Sequence, residues 1–401
     1  MSAKRIAIWW QQDSWGGVES HLLTLLRNWP EGEDRFVIFH NRSNPGADRL
    51  SVEFAKLANV SMVAFADPPT GRRFILLRVL RYFALPLRFL ALERQARQTL
   101  MANGSFDALL SNNGGYPAAW SCLAALWSAR RLGVPKRVLL VHHAAVPRTV
   151  FRVSFEHLVD LGVQRWATDL VSVSRATRQT LIERRGFDTE FNPIRVIHNG
   201  ADAPPPSADD DVALRKLFSI GADELLVGML GRVQRYKGHE DLILAIADLD
   251  PSERRRVRAV FVGFADDSEQ SRLSRLAGHL GIADRIIFTG YLAGAPGTLI
   301  KQLDVLAMLT KDFEGFGLTI AEALHAGTPV LATAVGAVPE FVSLDVAMLV
   351  PPESPRAVAA ALHAFLVDPA GARQRAHNAA AHIRNFSGAV MARDFHRLLE
   401  I

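Results

Sequence analysis

Thirteen short apolar, β-branched runs recur along the chain, each long enough for one strand, with helix-length stretches between them. In the first half they occupy residues 5–10, 36–39, 60–64, 107–110, 137–142, 169–173 and 194–197. In the second half they occupy 225–230, 258–263, 285–288, 304–309, 329–332 and 347–350. Apolar residues run on continuously within them instead of alternating with polar ones. A strand covered on one face alternates, so these strands need cover on both faces, which parallel sheets joined by helices provide. The βαβα order predicts an α/β chain with doubly wound parallel sheets.

The regular order breaks after Asn199-Gly200-Ala201-Asp202-Ala203, where Pro204-Pro205-Pro206 and Asp209-Asp210-Asp211 follow. Three consecutive prolines fit neither helix interior nor sheet, so the segment reads as an exposed connector between two Rossmann-like halves. Ligands of open parallel sheets bind beyond the carboxyl ends of the strands, so two facing sheets place a site in a cleft between lobes.

Composition narrows the function classes. The chain has 401 residues, 49% hydrophobic and 22% charged, which excludes a disordered, collagen-like or coiled-coil protein. Cys122 is the single cysteine, so neither an intramolecular disulfide framework nor a cysteine-cluster zinc site can form. The basic amino terminus leads into no signal-peptide core, and no uncharged apolar stretch reaches the ~18–20 residues of a membrane span. A cytoplasmic protein is expected.

Residues 72–101 hold seven arginines and one glutamate, more excess charge than the whole chain's net +5. Basicity is therefore local, which argues against nucleic-acid binding along an extended groove. The segment is also strongly apolar, and a helix there is expected to kink at Pro86. Two readings stay open: a helix in the headgroup layer of an anionic membrane, or a buried connecting helix with its arginines exposed.

Three motifs carry chemistry. Gly16-Gly17 stands between the first strand and a helix expected over 20–28, where backbone amides can approach an anion. It is not a dinucleotide fingerprint, which argues against a nicotinamide oxidoreductase. Gly231-Arg232-Val233-Gln234-Arg235-Tyr236-Lys237-Gly238 follows a strand and precedes a helix expected near Glu240, offering a guanidinium and an ammonium suited to a diphosphate. Glu314-Gly315-Phe316-Gly317-Leu318-Thr319-Ile320-Ala321-Glu322 opens another helix with a glycine turn and two carboxylates eight positions apart. Glu322 lies among apolar neighbours, so it is expected to be partly buried without a partner. His239 and His325 read as ordinary helix or loop residues. No aspartate pair stands out as a Mg²⁺ site.

Together these residues resemble the retaining glycosyltransferases of family 4, which have the GT-B fold, over nearly the whole chain. The resemblance implies that Arg232 and Lys237 hold the diphosphate of a UDP or GDP sugar, with the amides of Gly317, Leu318 and Thr319. It also implies Glu322 on the ribose, Glu314 against the transferred sugar, the base near Tyr291 and Leu292, Gly16 and Gly17 near the phosphates, and His142 facing the sugar. Val196 to Asp202 is similar to the segment closing the family's first domain, and Thr333 to Glu340 to a loop bearing Gly336 and Pro339. A last helix over 387–400 crossing back gives domains of 1–203 with 386–401, and 204–385. The implied reaction transfers a hexose with retention and without a metal or other cofactor, to a sugar or lipid-linked glycan acceptor. A sugar-nucleotide hydrolase or epimerase on the same fold, and a silent membrane-bound scaffold, are the alternatives. His143 stands where many relatives have an acidic residue, and Phe264-Ala265-Asp266 where they have a second glycine.

Overall fold

A computed structural model describes residues 3–13, 16–67, 85–149, 153–203, 213–292 and 296–400. The chain divides into two compact units, Met1–Asn199 with Gly388–Ile401, and Gly200–Ser387. The connector prolines and aspartates, and residues 72–84 of the basic segment, lie outside the described residues.

All thirteen expected strands are present, with bounds shifted by up to three residues. The first unit has a seven-stranded sheet in the order β3-β2-β1-β4-β5-β6-β7. Its strands are β1 (Arg5–Trp10), β2 (Arg35–Asn41), β3 (Val60–Phe65), β4 (Ala108–Asn113), β5 (Lys136–Val141), β6 (Asp169–Ser172) and β7 (Ile194–Val196). The second has a six-stranded sheet in the order β10-β9-β8-β11-β12-β13. These are β8 (Leu225–Leu230), β9 (Val257–Val262), β10 (Ile286–Gly290), β11 (Val305–Met308), β12 (Val330–Thr333) and β13 (Met348–Val350). The pairings are parallel in both sheets. Central strands such as β4, in which all six residues are buried, show why apolar runs were continuous.

Helix ends depart from the sequence reading for identifiable reasons. The first helix begins at Gly17 instead of residue 20, because the Glu19 carboxylate accepts the Gly16 N–H at 2.8 Å and caps it. The backbone at Gly16 is extended, with φ −170°, and a Cβ there would meet only Glu19 at 3.9 Å. Residue 16 therefore forms no tight turn that requires glycine. Pro86 stands in the described helix Leu85–Ala102, and the kink expected there depends on residues before Leu85, which lie outside the described residues. That helix buries Phe89, Ala96 and Leu100, and its Glu93 is paired with Arg97 at 3.3 Å and Arg131 at 3.2 Å. No helix among the described residues is long and apolar enough to cross a membrane.

The Gly388–Leu399 helix belongs to the first unit and buries Met391, Phe395, Leu398 and Leu399. A buried charge cluster ties the segments after β4 and β5 to two helices of the same unit. Arg185 reaches Glu156 at 2.8 Å and Asp160 at 2.9 Å, and all three are at most 3% exposed. Asp160 also accepts from the Tyr116 hydroxyl at 2.7 Å and from Arg148 Nε at 2.8 Å.

Candidate functional site

In the second unit, β8 and β11 are hydrogen-bonded neighbours, so the segments leaving their carboxyl ends emerge side by side. One carries Lys237 and the other Glu314, and their side chains meet: Lys237 Nζ lies 2.8 Å from Glu314 Oε2. The Thr310 hydroxyl donates to the same oxygen at 3.1 Å. Glu314 is also fixed through its backbone. The Ala337 N–H donates to its carbonyl at 2.9 Å, and Gly336 packs so closely that a Cβ there would lie 2.2 Å from that oxygen. With φ +55° at Gly336, only glycine fits without strain.

Gly317, with φ +96°, caps the Leu318–Ala326 helix. Leu318 and Thr319 stand in its first turn, where N–H groups have no intrahelical acceptor and the helix dipole favours an anion. Glu322 follows one turn on. Its carboxyl has no hydrogen-bond or ion-pair partner among the described residues, and burial pushes its pKa up to about 7. The sequence expectation of a partly buried, unpaired carboxylate is what the structure shows.

The other sequence-predicted residues of this unit are more open. Arg232 is exposed on the segment after β8. Tyr291, 54% exposed, and the half-buried Leu292 follow β10 at the sheet edge. His239, set aside by the sequence reading, is buried at the start of the next helix with its ring 4.8 Å from Phe261. Burial first, then the neighbouring Lys237 charge, lower its pKa to about 4, so it stays neutral behind the cationic segment.

In the first unit, His142 leaves the end of β5 with its ring buried. Its Nε2 lies 2.6 Å from Asn112 Oδ1 on adjacent β4. With Nε2–H donating, Nδ1 is the unprotonated nitrogen. The His21 ring packs edge-on against it at 4.5 Å, and His21 Nδ1 lies 2.9 Å from Asn199 Oδ1. Burial, then the other histidine, holds His142 well below the ordinary imidazole value, and burial lowers His21 to about 4. His142 is thus a neutral polar group at pH 7. Gly16 and Gly17 open the first helix, with the Gly16 amide already given to Glu19.

Thr310, His21 and Asn112 were missed by the sequence reading. Thr310 had a weak signal, four positions before Glu314 beyond a strand. His21 had none, because a polar residue on a helix otherwise burying Leu22, Leu25 and Leu26 shows no partner until the fold brings Asn199 to it.

The family model for glycosyl transferases group 1 matches residues 213–383, and that for glycosyltransferase family 4 matches residues 15–203. A D-inositol 3-phosphate glycosyltransferase of Streptomyces bingchenggensis is 31% identical over 234 residues, 55% of this chain and 50% of that protein. The lipopolysaccharide core biosynthesis mannosyltransferase LpcC of Rhizobium leguminosarum is 29% identical over 278 residues, 65% of this chain and 74% of that protein. The chain spans about half the length of the first of the curated relatives it matches. Among solved structures, Anabaena HepE in complex with UDP superposes with a TM-score of 0.76 over 99% of both chains at 21% identity, which shows a shared fold. Matched in succession by these two models across both of its units, the chain belongs to the family 4 glycosyltransferases and has the GT-B fold.

Proposed function

We propose that this chain is a retaining hexosyltransferase that uses a nucleotide-diphosphate sugar of the UDP or GDP type and serves the synthesis of envelope polysaccharide or glycolipid. The observation that carries the reading is the Lys237–Glu314 pair beside the Gly317 helix start, with the unpaired Glu322 one turn further on. A diphosphate brought to that helix start offers Lys237 a more highly charged partner than one carboxylate. Glu314, released, is then an acceptor for the hydroxyls of the transferred sugar. Glu322 accepts from the ribose hydroxyls, which offsets the cost of holding its charge in a buried place. Arg232 and Lys237 meet the leaving-group charge, so this reading calls for no metal or other cofactor.

Retention follows from attack on the face the diphosphate leaves. The bond from the anomeric carbon to the phosphate oxygen breaks, the bond to the acceptor oxygen forms, and the acceptor proton passes to the departing phosphate. His142, neutral and hydrogen-bonded to Asn112, is assigned to a sugar hydroxyl, in line with its place at a strand end. HepE has been solved with UDP-glucose, which makes that donor the first to test.

Glu322 gives the test its sign. Its folded pKa of about 7 lies above the ordinary 4.5, so the ligand-free protein loses stability as pH rises from about 4.5 through 7. The loss amounts to about 3 kcal/mol at most. Ribose hydroxyls favour the ionised form, so UDP affinity is expected to rise about tenfold from pH 6 to pH 8 as the ionised fraction grows. Calorimetric titration at both pH values should show this in the wild type, and Glu322→Gln should bind UDP weakly and without the pH dependence. A flat wild-type profile would remove Glu322 from the ribose.

The acceptor is a sugar or a lipid-linked glycan. For a lipid-linked acceptor we assign membrane contact to residues 72–101, in the described part of which Leu87 and Leu90 are 70% and 49% exposed and Arg94 is also exposed. Sedimentation with phosphatidylglycerol vesicles at low salt, reversed by high salt, is the expected result. Protein remaining in the supernatant would make the segment a connecting helix only.

A further inference from the structure

A second charged feature lies in the first unit, at the opposite end of its sheet from His142. A cleft of about 630 Å³ opens where β6 and β7 begin. Ala167 and Thr168 enter it just before β6, Asn192 and Pro193 just before β7, and Arg130, Arg165 and Arg195 line its walls. Phe191 also lines it and is 60% exposed.

The cations there exceed the carboxylates. Asp169 is shared by Lys136 at 2.9 Å and Arg195 at 3.3 Å. Arg130 donates only to the backbone carbonyl of Arg165, and Arg137, beside it, only to the carbonyls of Val134, Pro135 and Trp166. The Arg165 guanidinium has no partner among the described residues. The remaining carboxylates are Asp188, whose Oδ1 accepts the Glu190 and Phe191 amides, and the exposed Glu190, so positive charge still predominates. Burial first, and then the Arg130 charge, lower Arg137 from its ordinary value. Arg130, Arg165 and Arg195 are all exposed, so an oxyanion in the cleft can reach their guanidinium groups directly.

We propose that this cleft binds an acidic saccharide, with a carboxylate or phosphate on the guanidinium groups of Arg130, Arg165 and Arg195 and a neighbouring ring laid on Phe191. Guanidinium forks match oxyanions of this kind, and an exposed phenyl offers an apolar platform to the C–H face of a sugar. The feature is concave and carries one aromatic ring. A bilayer contact would need an amphipathic apolar face, which a single phenyl ring does not make, and a nucleic-acid strand would need a series of stacking rings. The site is separate from the donor-binding residues assigned above and stands whether or not that assignment holds.

Calorimetric titration of the full chain with tetragalacturonate tests it, with UDP present to occupy any oxyanion site in the second unit and maltotetraose as the neutral control. The wild type is expected to bind the acidic tetramer in a salt-sensitive manner and to ignore the neutral one. Arg165→Ala should bind at least tenfold more weakly and Phe191→Ala severalfold more weakly, both with wild-type thermal melts, since neither side chain is buried. Equal affinity in wild type and Arg165→Ala, no binding by the wild type, or binding to phosphatidylglycerol vesicles but not to the tetramer would each overturn the proposal.

Discussion

Lys237→Ala is expected to lower turnover by about 10²–10³-fold, or ~2.7–4 kcal/mol of transition-state stabilisation. A diphosphate leaving group gains negative charge as its bond to the sugar breaks, and an ammonium held beside it stabilises the transition state more than the ground state. Lys237 is suited to the task because it is already fixed, 2.8 Å from Glu314, and only a quarter exposed. Removing it leaves Glu314 with Thr310 as its one remaining side-chain partner among the described residues, and that carboxylate is near enough to the surface for water to reach it. The fold should therefore survive. Glu314→Gln separates the roles: it should also lose turnover while keeping UDP affinity, because the ammonium is then free for the phosphates. Steady-state rates with UDP-glucose and GDP-mannose, alongside UDP titrations, decide the matter. Turnover of Lys237→Ala within a few-fold of wild type on its working donor would end the diphosphate assignment.

Arg185→Ala should destabilise the first unit by about 3–5 kcal/mol, because it leaves buried Glu156 without its cation and buried Asp160 with Arg148 alone. Glu156 and Asp160 are at most 3% exposed, and the guanidinium that joins them also lies over the Tyr116 ring at 5.2 Å. Arg148 pairs with Asp160, donates to the Arg185 carbonyl and is itself partly exposed, so Arg148→Ala should cost clearly less. The measurement is clean because all seven tryptophans occur before residue 199, so urea unfolding followed by tryptophan fluorescence reports the first unit. A midpoint for Arg185→Ala close to that of the wild type would mean the cluster relaxes or hydrates when opened.

The contrast between these two residues shows how far sequence reading reaches. The place of Lys237 was legible, five positions after Arg232 and between a strand and a helix, while its phosphate role comes from the family resemblance. Arg185 was not, since an arginine near the end of an amphipathic helix looks like any solvated charge until Glu156, Asp160 and Tyr116 converge on it. Glu322 was legible in part. Its apolar neighbours announced burial, but whether a partner would meet it depended on other segments. The start of the first helix was misplaced because capping depends on one or two side chains that leave little trace in hydrophobic pattern.

The sequence by itself determined the thirteen strands, their parallel pairing and the glycine–glutamate segment that opens a helix. Each of these is written in spacing between near neighbours, where strand and helix periods and the limits of proline and glycine act directly. Only the tertiary structure decided that Lys237 and Glu314, 77 positions apart, form an ion pair, that Gly336 presses on the Glu314 backbone, and that His142 stays neutral. It also gathered the arginines below β6 and β7 with one shared carboxylate among them. Charge state and close packing depend on how much water the surrounding atoms exclude, and those atoms come from segments that only folding brings together.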